Sequence, residues 1–213
     1  MLEDISGEKI KEQFKSNNQL RLITMIVGGV IVIVLGYFAY MQFMWNPDND
    51  KSKDSYWMGL NYATSDSTDM AIEELETQVK KFDGKVGGEV AQFVLARQLM
   101  SKGEFKDALK ELDGVDVSDI YVSTMAKGLK ADCHSELKEY EKAANLYLEA
   151  ADANDNEFTT PMYLMKAGLC AEEIKDFTMA TECYERIRDD YTSFASQKAI
   201  EKYIARAKNK TTK

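Results

Sequence analysis

AKGLKADCHSELKEYEKAANLYLEA, residues 126–150, reads as two short helical stretches meeting at a polar break around Ser135–Glu139. In it a small residue, Ala131, is followed by an aromatic, Tyr140, then by Ala143 and Tyr147. The same order recurs on both sides. VAQFVLARQLMSKGEFKDALKELDGV, residues 90–115, places Ala96, Gly103, Phe105, Ala108 and Leu112. MYLMKAGLCAEEIKDFTMATECYERI, residues 162–187, places Gly168, Phe177, Ala180 and Tyr184. Aligned on the aromatics Phe105, Tyr140 and Phe177, the intervals are 35 and 37 residues. SYWMGLNYATSDSTDMAIEELETQVKKF, residues 55–82, fits more loosely through Gly59, Tyr62, Ala71 and Leu75, and is expected to be a degenerate first unit. Only one proline falls after residue 55 and no sustained period-two alternation occurs, so the region is expected to be all-α. Small residues let two antiparallel helices approach, and the large residue that follows packs on the next pair. A lone pair cannot bury both faces, so the units must stack.

Helix pairs of this pattern and period resemble tetratricopeptide repeats, whose nominal period is about 34 residues. The resemblance implies an α-solenoid with a degenerate repeat over 55–85, repeats at about 89–120, 124–157 and 161–192, and a closing helix over 195–208. Thr160 and Pro161 are expected to start a helix as N-cap and first-turn proline. The resemblance also implies a concave groove lined by the first helix of each pair, used to hold segments of other proteins. Carried over by alignment, the lining is Val90, Phe93, Arg97, Met100 and Ser101, then Met125, Gly128, Asp132, Ser135 and Glu136, then Met162, Met165, Leu169, Glu172 and Glu173. Soft methionines suit varied apolar partners, and the acids would favour basic segments. Grooves that clamp a C-terminal carboxylate use several Lys, Arg and Asn residues, so Arg97 alone argues against that mode.

Upstream lies LITMIVGGVIVIVLGYFAYM, residues 22–41, twenty residues without a charge. At 1.5 Å per helical residue it reaches roughly 30 Å, the thickness of a bilayer's hydrocarbon core. Eleven of the twenty are Leu, Ile, Val or Phe, which favours insertion by roughly 3–6 kcal/mol before polar corrections. Tyr37, Tyr40, Phe43 and Trp45 crowd its C-terminal end as an interfacial aromatic belt would. The span is expected to be an uncleaved transmembrane helix over 22–45, with Thr24, Gly28, Gly29 and Gly36 as small residues suited to helix packing. Residues 1–21 form a short tail in which Ile10 and Phe14 could share a helical face, and residues 46–54 read as a polar linker, with Pro47 ending the helix.

Charge divides unevenly around the span. Four basic and four acidic residues cancel in the tail, so all nine net negative charges belong to the region after it. This excludes nucleic acid as a natural partner, since phosphate binding draws on clustered Lys and Arg. Lys9, Lys11, Lys15 and Arg21 precede the span, against Lys51 and Lys53 just after it. The bias puts the tail inside and the large domain outside. Cys133, Cys170 and Cys183 have no metal-like spacing and are expected to be small buried residues. No enzyme constellation appears. His134 is the sole histidine, Gly87 and Gly88 form an isolated pair at a helix entry, and the pairs Glu73–Glu74, Glu172–Glu173 and Asp189–Asp190 fit solvated helix faces. Neither a catalytic role nor a cofactor or metal is expected.

One N-terminal anchor, a short linker and a small acidic solenoid together resemble the YfgM-like family, ancillary subunits of the SecYEG translocon in the bacterial envelope. The resemblance implies a single-pass inner-membrane protein with a cytoplasmic N-terminus and a periplasmic solenoid. Its implied partners are Sec translocon subunits, a PpiD-like periplasmic chaperone and secreted client polypeptides, with lipid met through the anchor. Two other readings keep the fold: a scaffold subunit of another envelope assembly, such as cytochrome maturation or outer-membrane biogenesis, and an organelle import receptor whose solenoid faces the cytosol.

Overall fold

A computed structural model describes residues 14–211, and the chain divides into two compact units between Asp50 and Lys51. The tail helix expected around Ile10 lies outside the described residues. In the first unit, α1 runs Asn18–Tyr40. Asn17 caps it, its side chain accepting the N–H groups of Gln19 (3.0 Å) and Leu20 (3.2 Å). No residue of α1 is buried. Among the described residues, this is the one helical stretch long and apolar enough to cross a membrane.

The chain does not leave the helix at Pro47. A π-helical turn, Met41–Trp45, follows α1, and the Asn46 N–H returns to the carbonyl of Met41. The helix α2, Asn46–Ser52, continues directly from it. A proline lacks the N–H of the ordinary ladder, and its ring crowds the carbonyl four residues back. The widened π turn shifts that ladder by one residue just before Pro47, which then sits in the first turn of α2, where proline is tolerated. The expected polar linker therefore shrinks to the turn at residues 53–56.

The second unit is built from helix pairs: α3 (Trp57–Thr64) with α4 (Thr68–Lys81), α5 (Val86–Ser101) with α6 (Phe105–Asp113), α7 (Ile120–Glu136) with α8 (Tyr140–Ala153), and α9 (Thr159–Glu173) with α10 (Phe177–Asp190). Each pair turns in the same way. Asp66, Gly103, Lys138 and Lys175 are left-handed, at φ 55, 78, 63 and 63°. The next N–H in each case bonds five residues back, Ser67 to Tyr62, Glu104 to Leu99, Glu139 to His134 and Asp176 to Ala171, at 2.8–3.0 Å. These are four Schellman endings, and the first of them places the degenerate unit in register with the rest.

Packing follows the small residues. Ala71, Ala108, Ala143 and Ala180, equivalent in the four second helices, are all fully buried, and Leu75, Leu112, Tyr147 and Tyr184 one turn later are buried with them. A Cβ added to Gly59 would meet Leu75 at 2.5 Å, one on Gly128 would meet the Tyr163 ring at 2.4 Å, and one on Gly168 would meet the Tyr184 ring at 2.4 Å. Hydrogen bonds then join α2 to the second pair, the third pair to the fourth, and the fourth to the closing helix at nearly constant separation. The Gly87 N–H reaches Ser52 Oγ (3.0 Å, 35 residues apart), Lys166 reaches Asp132 (2.6 Å, 34), Arg186 reaches Asp152 (2.6 Å, 34) and Arg206 reaches Glu172 (2.6 Å, 34). A contact that recurs at one repeat length is what stacking of equivalent units produces.

Two expected boundaries move. Thr160 does not cap α9, whose N-cap position is Phe158; Asn156 holds the turn that enters the helix, its Oδ1 accepting from Phe158 N (2.9 Å) and Thr159 N (2.8 Å). Thr160 is instead fully buried inside the helix, its hydroxyl accepting from Asn156 N at 2.9 Å. The closing helix is two helices, α11 (Thr192–Lys198) and α12 (Glu201–Thr211). Between them Ala199 is left-handed (φ 49°), and the Ile200 N–H bonds the carbonyl of Ala195 at 3.0 Å. The break redirects the chain so that Ile200, Ile204 and Ala207 are buried on α10 and its neighbours, while Glu201, Lys202 and Lys208 face out. That polar outer face is what a terminal helix of a stack needs.

Two substitutions should move stability in opposite directions. Gly168→Ala drives a methyl into the fully buried Tyr184 ring and should cost about 1–3 kcal/mol. Lys175→Gly relieves a left-handed lysine and should gain about 0.5–1 kcal/mol. Urea unfolding midpoints measure both, and a neutral Gly168→Ala would contradict the close approach.

Candidate protein-binding groove

The C-terminal halves of α5, α7 and α9 lie side by side and border a cleft of about 640 Å³. Met100, Ser101, Phe105, Asp132, Ser135, Glu136, Tyr147, Lys166, Leu169 and Cys170 line it. Leu169 and Cys170 also border a cleft of about 530 Å³ that runs to Glu172, Arg206 and Lys210. On the other side of Lys166, a cleft of about 580 Å³ is formed by Phe158, Met162 and Met165 with Phe194 and Lys198 of α11. Eight of the fifteen sequence-derived groove residues border the first and third of these clefts: Met100, Ser101, Asp132, Ser135, Glu136, Met162, Met165 and Leu169.

Four others, Phe93, Arg97, Met125 and Glu172, fare differently. Phe93 is buried in the core of the N-terminal half and offers little surface. Arg97 and Met125 are exposed but border none of these three clefts. Glu172 borders the second cleft, but its side chain is only 9% exposed and is already engaged. It accepts from Arg206 at 2.6 Å and the Tyr184 hydroxyl at 2.9 Å, with Lys210 at 3.7 Å. Asp132 is engaged in the same manner by the Tyr147 hydroxyl and by Lys166 at 2.6 Å, which also stands 5.4 Å over the Tyr147 ring. These two carboxylates thus join neighbouring repeats and are not available as a rim for basic segments. Glu136 and Glu173 remain at the rim with no hydrogen-bonding or ion-pair partner among the described residues. Gly128, aligned to the groove, is buried beneath the Tyr163 ring.

The residues that sequence reading missed are partners of those acids, Tyr147, Lys166 and Arg206, together with Phe105 and Cys170. Phe105, Tyr147, Lys166, Cys170 and Arg206 all border the clefts. A signal for some of them was present: Asp132–Lys166, Asp152–Arg186 and Glu172–Arg206 are opposite charges 34 residues apart. At one repeat length, such residues stand on adjacent equivalent helices. In α1, the Thr24 hydroxyl bonds the Leu20 carbonyl at 2.8 Å. Nothing lies within 4 Å of a Cβ built on Gly28, Gly29 or Gly36.

Burial decides the ionisable chemistry here. It pushes the Cys133 thiol up to about 11, with Asp132 adding to the effect, and the Cys183 thiol up to about 12. It also raises Cys170, and it raises the Tyr147 and Tyr184 hydroxyls, which their carboxylate acceptors raise further. These groups stay neutral near pH 7 and serve as packing and hydrogen-bond donors. Among the described residues, no cluster of His, Cys, Asp or Glu is placed to hold a metal.

No family model and no curated protein matches the chain. Among solved structures it is similar to the TPR-like repeats of a Podospora anserina protein named for the kinesin light chain. TM-score is 0.58 and identity 14%, over 77% of this chain and 88% of that one. A second structure of those repeats matches with TM-score 0.58 and 13% identity over the same shares. The fold is therefore that of a TPR-like solenoid.

The thiols offer a direct check. All three cysteines are free and buried, so a maleimide should label none of them in the folded protein and all three in denaturant. Labelling should not rise between pH 7 and 9, as it does for a thiol near 8.5. Because folding raises these values, stability should fall as pH climbs past the ordinary thiol range. Rapid native labelling of Cys133 or Cys183 would contradict the packing.

Proposed function

We propose that the chain is a membrane-anchored, non-enzymatic accessory factor of protein secretion in a bacterial inner membrane. Its N-terminus is cytoplasmic, and its solenoid lies in the periplasm, held by a single pass of α1. There it docks on the Sec translocon and binds a PpiD-like chaperone or emerging secreted polypeptides. The observation that carries the reading is the pairing of α1, twenty-three residues with none buried, with a methionine- and phenylalanine-lined TPR-like groove. A helix exposing Ile26, Ile31, Ile33 and Leu35 is costly in water, and a bilayer removes that cost. The cleft presents soft apolar side chains that adapt to varied partners, and the charge bias across α1 supports the orientation.

Affinity purification of the full chain from membranes in mild detergent tests this. Translocon subunits and a periplasmic chaperone should co-purify. Leu169→Asp, at a position 40% exposed in the cleft, should lower chaperone and client recovery by about tenfold and leave the translocon in place. Recovery of a different envelope complex, or of neither component, would sink the secretion assignment.

A further inference from the structure

In a stack of helix pairs, each pair has one side that meets the pair before it. In α5, α7 and α9 the two positions just before the small residue lie on that side. Val94 and Leu95, before Ala96, are buried in the cluster that holds Ala71 and Leu75 of α4. Leu129, before Ala131, packs on the cluster that holds Leu112 of α6, and Lys130 beside it reaches Asp113 of α6 at 2.9 Å. Before Gly168, Lys166 reaches Asp132 of α7 at 2.6 Å and Ala167 is fully buried. In α3 the same two positions, before Gly59, are Trp57 and Met58, and they are 57% and 56% exposed.

The second helix adds to this face. Arg186 of α10 reaches back to Asp152 of α8, and Thr77 is its equivalent in α4, six residues after the buried alanine in each helix. Met70, two turns before Thr77, is 51% exposed. The Tyr56 ring stacks on the indole of Trp57 at 5.5 Å and supports it in its open position. Apolar side chains thus stand open where the three later pairs meet their predecessors. The last helix of the stack presents the opposite character, with Glu201, Lys202 and Lys208 of α12 facing out.

We propose that this face is where two copies of the chain pair, the first helix pair of one against the first helix pair of the other. The face continues the interface that the later pairs make, so what covers it is a helical surface. It is also an apolar one: α7 and α9 each place a lysine here that reaches an acid of the preceding pair, and α3 places none. A second copy supplies the same indole and thioethers, which attract one another. The charges bordering the face carry both signs, Lys53 and Asp54 ahead of α3, Glu73 and Lys80 one turn either side of Thr77. A two-fold related copy can set its Lys80 against Glu73. Because the other end of the stack is polar, the contact closes on itself and the assembly stops at two.

Light scattering of the full chain purified in mild detergent, with the mass of the micelle subtracted, tests the proposal. The protein mass should be twice 24.2 kDa. Trp57→Glu with Met58→Glu should raise the dimer dissociation constant at least about tenfold, and Met70→Glu alone should raise it too. All three positions are exposed, so both variants should keep the helical circular dichroism of the parent. Disulfide formation in native membranes gives a second readout, since the native thiols are buried. Under a mild oxidant, Met58→Cys or Met70→Cys should yield a covalent dimer, and Asn145→Cys should not. A monomeric parent, a dimer that tolerates the glutamates, no covalent dimer from either cysteine, or an adduct to a different protein would each overturn the proposal. None of these results bears on whether a translocon co-purifies, so the secretion reading stands or falls separately.

Discussion

The solenoid depends on tyrosine rings seated where a neighbouring helix has no side chain. Tyr163 occupies the space a Cβ on Gly128 would need, and Tyr184 the space above Gly168. Each contact fixes how closely α9 approaches α7, or α10 approaches α9, and so sets the pitch of the stack. Interiors pack densely enough that one methyl in such a place is felt. Once the spacing is set, residues one repeat apart come within reach of each other, and the ties at 34 to 36 residues follow from it.

Those ties shape what the groove can do. Asp132 and Glu172 look in the sequence like open acids, but in the fold each neutralises cations from the next helix along and holds a buried tyrosine hydroxyl. The groove floor is therefore electrostatically settled, and what it offers a partner is Met100, Phe105 and Leu169 with Glu136 at the rim. A site of this kind favours shape and soft apolar contact over charge.

The helical pairs, their small-residue contacts and the long apolar segment were legible in the sequence because each is written in local spacing. The alanines equivalent to Ala108, and the large residues one turn after them, are buried as that spacing implies. Less legible were features in which a residue answers to something distant or unusual. Pro47 sits inside a helix because a π turn precedes it. Ala199 adopts a left-handed conformation that the burial of Ile200 and Ile204 sustains, where a glycine would have announced the break. Asn156, not Thr160, bonds the N–H groups at the entry to α9, since both side chains suit that role and only the fold decides between them. Phe93 was assigned to the groove by register alone, and the core of the N-terminal half takes it instead.

The central claim is that a lipid-spanning α1 separates the tail from a protein-binding solenoid. Because the native thiols are buried, a single introduced cysteine reports its own side of the membrane. Lys15→Cys and Asn145→Cys, both at exposed positions, can be treated with a membrane-impermeant maleimide in sealed spheroplasts. Labelling of Asn145→Cys at once, and of Lys15→Cys only after detergent, is the predicted result. Labelling of both in intact spheroplasts, or of Lys15→Cys alone, would contradict the account.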